Sequence, residues 1–374
     1  MSQTGEKKNK SGVLICGAYG MRNAGDEAVL DAILAELREI DPDMPVAVLS
    51  RSPADTEEHH GVRAIHSFAL PAMWRAMRSS ALFINGGGSL VQDVTSTRSL
   101  WYYLYTLVAA KNRGCRVMMY GCGVGPVSHP GNRRLAGRTI DRYVDAITLR
   151  EKQSLTTLRE LGVRRPDIAV AAEPALSLAA SGDAELDALF EKLGLDPKGR
   201  YFCVCVRRWP GMEQKRELFA AAADYAHARY GLTPLILSVN PRQDVESAEQ
   251  VYALVQTPAA LVTAPLEVPE LIGFLARMEA LLAMRLHALI FAASRAVPLI
   301  GVSYDPKVAS FLDYIDQNNY IDFAELSEPE QLYAMIDAAL QMDRPALEAA
   351  TERLRAVERR NVETARRLLE EVET

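Results

Sequence analysis

Apolar runs of three to six residues recur along the chain, and each ends in glycine, a charge or proline before helical periodicity resumes. Val13–Cys16, Val46–Ser50, 81–84, 117–120, Ala146–Leu149 and 168–171 form a first series. Short buried runs separated by amphipathic helical stretches read as parallel strands joined by crossover helices. This predicts six parallel strands with their functional loops along one edge. A second series, 201–206, 234–238, Ala260–Val262, 281–283 and 298–302, predicts a second sheet. Between the series the chain turns alanine- and acid-rich and ends Asp196-Pro197-Lys198-Gly199. The expected division is a lysine-rich disordered tail at 1–11, a Rossmann-like domain at 12–178 and a linker at 179–199. A second Rossmann-like domain then occupies 200–325, and helices at 326–374 pack across both. Residues 345–373 read as one long charged helix, with Leu347, Leu354, Val357, Val362 and Leu368 on one stripe.

The stretch 280–307 carries the most chemistry. A strand at 280–283, a helix at 286–294 and a strand at 297–303 make one βαβ unit. Ligands of open α/β sheets sit beyond the carboxyl ends of the strands. One such end carries Arg285 and His287 where a helix begins; the other carries Tyr304, Asp305 and Lys307. Two cations and an imidazole beside helix N–H groups favour an anion. The blander reading is a helix-starting histidine with two solvated cations. Arg207 and Arg208 end the strand at 201–206 and add anion contacts, although Arg208 equally suits a solvated rim. Arg150, at the end of Ala146–Leu149, can grip a carboxylate or phosphate at two points.

The glycine-rich turns are the second source of candidates. Gly17-Ala18-Tyr19-Gly20-Met21-Arg22-Asn23-Ala24-Gly25-Asp26-Glu27 lies between a strand and a helix, a common cradle for an anion or nucleotide, with Asp26 placed to cap the helix. The spacing is not that of a dinucleotide fingerprint, and Arg51 stands where a ribose-binding acid is wanted. No Gly-Lys-Ser/Thr marks a Walker loop. Asn85-Gly86-Gly87-Gly88-Ser89 and Gly121-Cys122-Gly123-Val124-Gly125-Pro126 end two further strands. Tight turns alone explain some of these glycines.

Composition narrows the class. At 374 residues, 49% hydrophobic and 24% charged, the chain reads as a globular protein of two domains with net charge −6. Nothing in that balance suggests a nucleic-acid partner. Five cysteines without metal spacing fit a reducing compartment, and Cys203 and Cys205 read as packing on one strand face. No metal site is expected. No run approaches a membrane span, and residues 1–11 lack the apolar segment of a signal peptide. The expectation is a cytoplasmic protein, with at most peripheral contact at the inner face of the membrane.

The ordered set Gly17-x-Tyr19-Gly20-x-x-Asn23-x-Gly25-Asp26-Glu27, Asn85-Gly86-Gly87-Gly88, Gly121-x-Gly123-x-Gly125-Pro126, Leu149-Arg150-Glu151, Arg285-Leu286-His287 and Tyr304-Asp305-x-Lys307 resembles the polysaccharide pyruvyl transferase family, and within it the CsaB-type cell-wall enzymes. It departs from the family pattern at Glu173-Pro174-Ala175, where Asp-Pro-Ala is expected. The resemblance implies an α/β, GT-B-like fold, two Rossmann-like domains with parallel sheets facing across a cleft. It implies phosphoenolpyruvate as co-substrate, with no separate cofactor, on the second domain. A cell-wall sugar, N-acetylmannosamine of a lipid-linked polymer that anchors S-layer proteins, would receive a 4,6-pyruvate ketal on the first. Ketal formation needs cations for the donor's two anionic groups, and Arg150, Arg285, Lys307 and Arg207 are the candidates. Gly17, Tyr19, Asn23, Asn85, Gly86, Gly87 and Gly123 are the remaining binding candidates. His287 suits the acid–base work, with Asp26 as the carboxylate that takes the hydroxyl proton. A homo-oligomer is compatible with this reading. Two alternatives stand beside it: a GT-B nucleotide-sugar glycosyltransferase or epimerase, and a non-enzymatic sugar-polymer binding protein.

Overall fold

A computed structural model describes residues 10–21, 23–94 and 96–373; residues 1–9 of the expected tail lie outside the described residues. The chain divides into two compact units, 1–175 with 356–374, and 176–355. In the first unit the strands are β1 (Val13–Cys16), β2 (Val46–Ser50), β3 (Arg63–His66), β4 (Leu82–Gly86), β5 (Arg116–Cys122), β6 (Ala146–Leu149) and β7 (Asp167–Val170). They form one parallel sheet in the order β3-β2-β1-β4-β5-β6-β7. This is seven strands, not the expected six. β3 escaped the sequence reading because it is an edge strand whose Arg63 and His66 are exposed and whose Ile65 alone is buried. One face of the sheet packs against helices Leu70–Ser79, Thr97–Lys111 and Pro130–Tyr143. The other face packs against helices Ala24–Ile40 and Arg360–Glu373 through Leu30, Ile33, Leu37, Ala365 and Leu368.

The second unit repeats the plan. Its strands are β8 (Tyr201–Cys205), β9 (Thr233–Leu237), β10 (Ala260–Val262), β11 (Met278–Ala283), β12 (Leu299–Ser303) and β13 (Tyr320–Asp322). All run parallel in the order β10-β9-β8-β11-β12-β13. The edge strand β13, three residues long and partly exposed, was not anticipated. The α/β, GT-B-like class of two parallel sheets is what the chain adopts.

Three boundaries differ from expectation. Residues 179–199 are not a linker: helix Asp183–Lys192 buries Leu186, Leu189 and Phe190, and the Phe190 ring packs tilted against that of Phe274 with centroids 4.8 Å apart. Its acidic face is the solvated side of an amphipathic helix, which composition alone reads as a spacer. The units divide after Ala175, within the short 3-10 turn Pro174–Ser177. The tail is two helices, Arg344–Glu358 and Arg360–Glu373. Thr351 and Arg355 of the former donate to Ala293 O and Ser294 O in the second unit, while the latter belongs to the first. Helix Pro329–Leu340 is part of the second unit's core.

The glycine turn after β1 is anchored by a charged strut. Asn23, not Asp26, caps helix Ala24–Ile40, its Oδ1 accepting from Gly25 N at 3.4 Å. Glu27 accepts the Gly20 N–H at 3.0 Å, and its other oxygen lies 3.0 Å from His60 Nε2. His60 ends helix Pro53–His60, and its Nδ1 is 2.6 Å from Asp31 Oδ1. Burial disfavours the imidazolium, but the bonds to Asp31 and Glu27 outweigh it and hold the His60 pKa up at about 9. A raised pKa means that this contribution is complete below the ordinary value near 6.5 and is lost as pH rises through about 9. With screening at partly exposed Asp31 allowed for, it amounts to about 1–2 kcal/mol at neutral pH. Denaturant unfolding of His60→Asn should therefore show a deficit of that size at pH 7 that shrinks when both proteins are measured above the His60 pKa; a pH-independent deficit would assign His60 a packing role only.

Candidate functional site

In both sheets the strand order reverses beside the first strand, between β1 and β4 and between β8 and β11. Crossovers leave such a pair in opposite directions, so their carboxyl-end loops part and open a crevice. In the second unit this point carries Arg207, Trp209, Arg285 and His287.

Arg285 occupies the N-cap of helix Leu286–Ala293 with extended backbone, φ −79° and ψ 118°. Its guanidinium is clamped by fully buried Asp244, with Nε donating to Oδ2 at 2.7 Å and Nη2 to Oδ1 at 2.6 Å. Burial disfavours the charge, but the Asp244 bonds outweigh it and raise the Arg285 pKa. Asp244 also accepts from Arg208 N at 3.3 Å, tying the β8 loop to the same carboxylate. Asp244 was not among the candidates read from the sequence, where it stands only in the loop Asn240-Pro241-Arg242-Gln243-Asp244 after β9. His287 is the second residue of the helix and is half-buried, with its ring 6.2 Å from that of Phe291 one turn on. Extended backbone at Arg285 followed by helix lets these two side chains leave the chain at one point.

Arg207 lies with its Cζ 4.2 Å from the Tyr304 ring centroid and 5.1 Å from that of Trp209. Those two rings are 4.7 Å apart. Cation–π contact with both holds the side chain in place. The ends of β8, β11 and β12 thus bring Arg207, Arg285 and Tyr304 together. Lys307 is more peripheral. It stands in the first turn of helix Pro306–Tyr314, 37% exposed and 3.3 Å from Asp305 Oδ2, while Asp305 caps the helix by accepting from Lys307 N at 3.1 Å.

The first unit's candidates have a different character. Arg150 is buried, and its guanidinium is already engaged. Nε donates to Glu151 at 2.8 Å, Nη1 to Glu173 at 3.0 Å and Nη2 to Ser89 at 3.0 Å. The fork expected to grip a donor anion is held by the chain's own carboxylates, because β6 and β7 end side by side and present Glu151 and Glu173 to it. Ser154 donates to Glu151 and accepts the Val124 N–H, which extends the network to the β5 loop. Burial pushes the Glu173 carboxyl up to about 7 although Arg150 opposes the shift, and Glu151 and Asp26 reinforce it. Two carboxylates around one guanidinium, with Asp26 near, leave this cluster net negative.

The glycines there serve packing. Gly87 has φ +69°, and a Cβ on it would come within 2.0 Å of Val29 Cγ1. A Cβ on Gly17 would meet the Tyr19 ring at 2.4 Å, one on Gly86 would meet Ile33 Cδ1 at 2.7 Å, and one on Gly123 would meet Arg150 at 3.0 Å. Tyr19 is buried and donates its hydroxyl to Gly86 O at 2.8 Å, which joins β1 to β4. Asn23 Nδ2 donates to Asp26 Oδ2 at 2.6 Å. Asn85 is fully buried at the end of β4, and neither of its amide atoms has a hydrogen-bond partner among the described residues. No group of three or more His, Cys, Asp or Glu among the described residues is placed to hold a metal, and no described helix is long and apolar enough to cross a membrane. All five cysteines are buried thiols.

Arg150→Met would leave Glu151 and Glu173 without a cation and should cost about 3–5 kcal/mol, as for other broken buried pairs. Glu173→Gln should cost far less. A carboxyl raised to about 7 gives its full contribution below the ordinary carboxylate range and loses it as pH climbs through that value. Stability between pH 5 and pH 8 should thus fall more steeply for the native chain than for Glu173→Gln, which keeps the His60 contribution; parallel curves would remove Glu173 as the titrating group.

Similarity to known proteins agrees with this architecture. The UDP-GlcNAc 2-epimerase of Methanocaldococcus jannaschii matches over 92% of this chain and 98% of its own, with 12% identity and a TM-score of 0.64. HepE of Anabaena, solved with UDP and glucose, matches over 96% and 98% with 14% identity and a TM-score of 0.59. A glycosyltransferase of Rickettsia africae matches over 97% and 99% with 10% identity and a TM-score of 0.61. At such identities the likeness shows the fold alone. No curated protein sequence matches the chain. The profile of one family, described as polysaccharide pyruvyl transferase, matches residues 23–306. That match spans most of the length, and the chain belongs to the polysaccharide pyruvyl transferase family.

Proposed function

We propose that the protein transfers the pyruvyl group of phosphoenolpyruvate to a cell-wall sugar, forming a 4,6-ketal and releasing phosphate. The observation that carries this reading is the second unit's reversal point, where Arg207 and Arg285 stand beside a helix N-terminus and His287. Phosphoenolpyruvate has a phosphate and a carboxylate two bonds apart, and two fixed guanidiniums suit that pair. The Asp244 clamp uses Nε and Nη2 of Arg285, so Nη1 has no partner among the described residues. Lys307, partly exposed and paired with Asp305 among the described residues, is a rim contact to the same donor.

The reaction adds one proton to the methylene carbon while a sugar hydroxyl bonds the neighbouring carbon and loses its own proton. The carbon–oxygen bond to phosphate then breaks, and a second hydroxyl closes the ring and releases its proton. His287 delivers the proton to the methylene carbon, beside cations that hold the anionic groups still. The first unit's net-negative cluster disfavours a second anion and suits sugar hydroxyls, with Asp26 as acceptor of the hydroxyl proton. The acceptor of this reading is N-acetylmannosamine on a lipid-linked polymer destined for S-layer anchoring. Phosphoenolpyruvate is an intracellular metabolite, which places the reaction in the cytoplasm at the inner membrane face.

A nucleotide-sugar reading has one support, the fold likeness to proteins solved with UDP and UDP-glucose. Thermal stabilisation by phosphoenolpyruvate but not by UDP-sugars separates the two. Phosphate release with a panel of sugar acceptors tests the whole proposal. In that assay His287→Gln should lower kcat by about 10²–10⁴-fold with a smaller effect on the donor KM. Arg285→Ala and Arg207→Ala should raise the donor KM by roughly ten- to hundredfold. A folded His287→Gln protein with native turnover would defeat the acid–base role.

A further inference from the structure

Charge is unevenly distributed along this chain. Residues 70–143 hold ten Lys or Arg against Asp93 and Asp141 in a chain of net −6, and of these cations Lys111, Arg116 and Arg133 pair with Asp145, Glu371 and Glu160 from outside the segment. Both acids are engaged by backbone N–H groups: Asp93 by Ser128 and His129, Asp141 by Arg164 and Arg165. Helices Leu70–Ser79, Thr97–Lys111 and Pro130–Tyr143 lie side by side over one sheet face, so their outer sides form a continuous surface.

That surface also collects the exposed apolar side chains. Among the described residues eight large hydrophobics are exposed, and six of them, Phe68, Leu70, Val94, Trp101, Tyr105 and Leu135, lie on or beside these helices. Arg98, Trp101 and Tyr105 follow at helical spacing on one helix; Arg134, Leu135 and Arg138 do so on the next. The aromatic rings are held across helices. Trp101 Nε1 donates to Asn132 at 3.1 Å, and Trp74 Nε1 donates to the Tyr105 hydroxyl at 2.8 Å. Arg75, Arg78, Arg98, Arg134 and Arg138 are exposed and have no acidic partner among the described residues.

We propose that this face docks on an anionic lipid bilayer. Amphipathic rings interleaved with arginine are the composition that settles at a headgroup boundary. The unpaired arginines are attracted to an anionic surface, which sets this face of the first unit against it. A second copy fits worse, because a twofold contact would set the same unpaired arginines against each other. Nucleic acid fits worse as well, since Leu70, Val94 and Leu135 offer no stacking face and the Trp101 N–H is already spent within the protein. The inference is independent of the catalytic proposal and is read without an activity assay.

Flotation of the full chain with vesicles provides the test. Partition onto phosphatidylcholine mixed with phosphatidylglycerol should exceed that onto phosphatidylcholine alone by roughly tenfold or more, and should fall with added salt. Arg134→Glu with Arg138→Glu should lower it by roughly tenfold or more. Trp101→Ser should weaken it while leaving the salt dependence. Arg353→Glu with Arg366→Glu, exposed but off this face, should change nothing, and matching melting curves for all variants keep the comparison on folded protein. Equal partition onto both vesicle types, or equal loss in the control pair, overturns the proposal. So does equal affinity for a single-stranded oligonucleotide, or a dimer in solution that the Arg134/Arg138 variant dissociates.

Discussion

Each sheet is parallel throughout, and parallel neighbours can be joined only by crossovers that return the chain to the starting edge. All strand ends of one kind therefore lie along one edge, and at the one place where the order reverses the loops are driven apart. β1 beside β4 and β8 beside β11 are those places. The positions of Arg207, Arg285 and His287, and those of Tyr19 and Asn85, follow from this reversal more than from any local preference.

The second unit's reversal point and the first unit's cluster at the ends of β6 and β7 have been given opposite electrostatic character by their buried partners. In the second unit one carboxylate, Asp244, holds one guanidinium, and Arg207 is held by aromatic faces that bring no opposing charge. The local balance stays positive. In the first unit Glu151 and Glu173 outnumber Arg150, and burial, with Glu151 and Asp26 adding to it, raises the Glu173 carboxyl to about 7 against the pull of Arg150. Glutamate at this position has one more methylene than the aspartate of the family pattern, and its reach is what brings Oε2 to within 3.0 Å of Arg150 Nη1. The same residue type, arginine at a strand's carboxyl end, thus performs different work in the two units according to what is buried beside it.

The alternation of apolar runs with amphipathic helices was enough to read both sheets and their parallel sense, because burial on both faces forces continuous apolar strands. It also placed Arg285 and His287 at a helix start. The edge strands β3 and β13 were not legible, since exposure on one side dilutes the apolar signal in three or four residues. The helix at Asp183–Lys192 looked like a linker for a related reason: its three buried side chains are few among acids that face solvent.

What no periodicity carries is the identity of a partner distant in sequence. Arg150 and Arg285 look equivalent as cations after apolar runs; only packing assigns two carboxylates to one and a single clamp to the other. Likewise the glycines after β1 and β4 read as a ligand cradle, while their neighbours Val29, Ile33 and Tyr19 show close packing as the constraint. Sequence determined the elements and the chemistry available at their ends, because those depend on near neighbours along the chain. Tertiary structure decided which charges remain available for a ligand, because neutralisation and burial are set by groups that only the fold brings within a few ångströms.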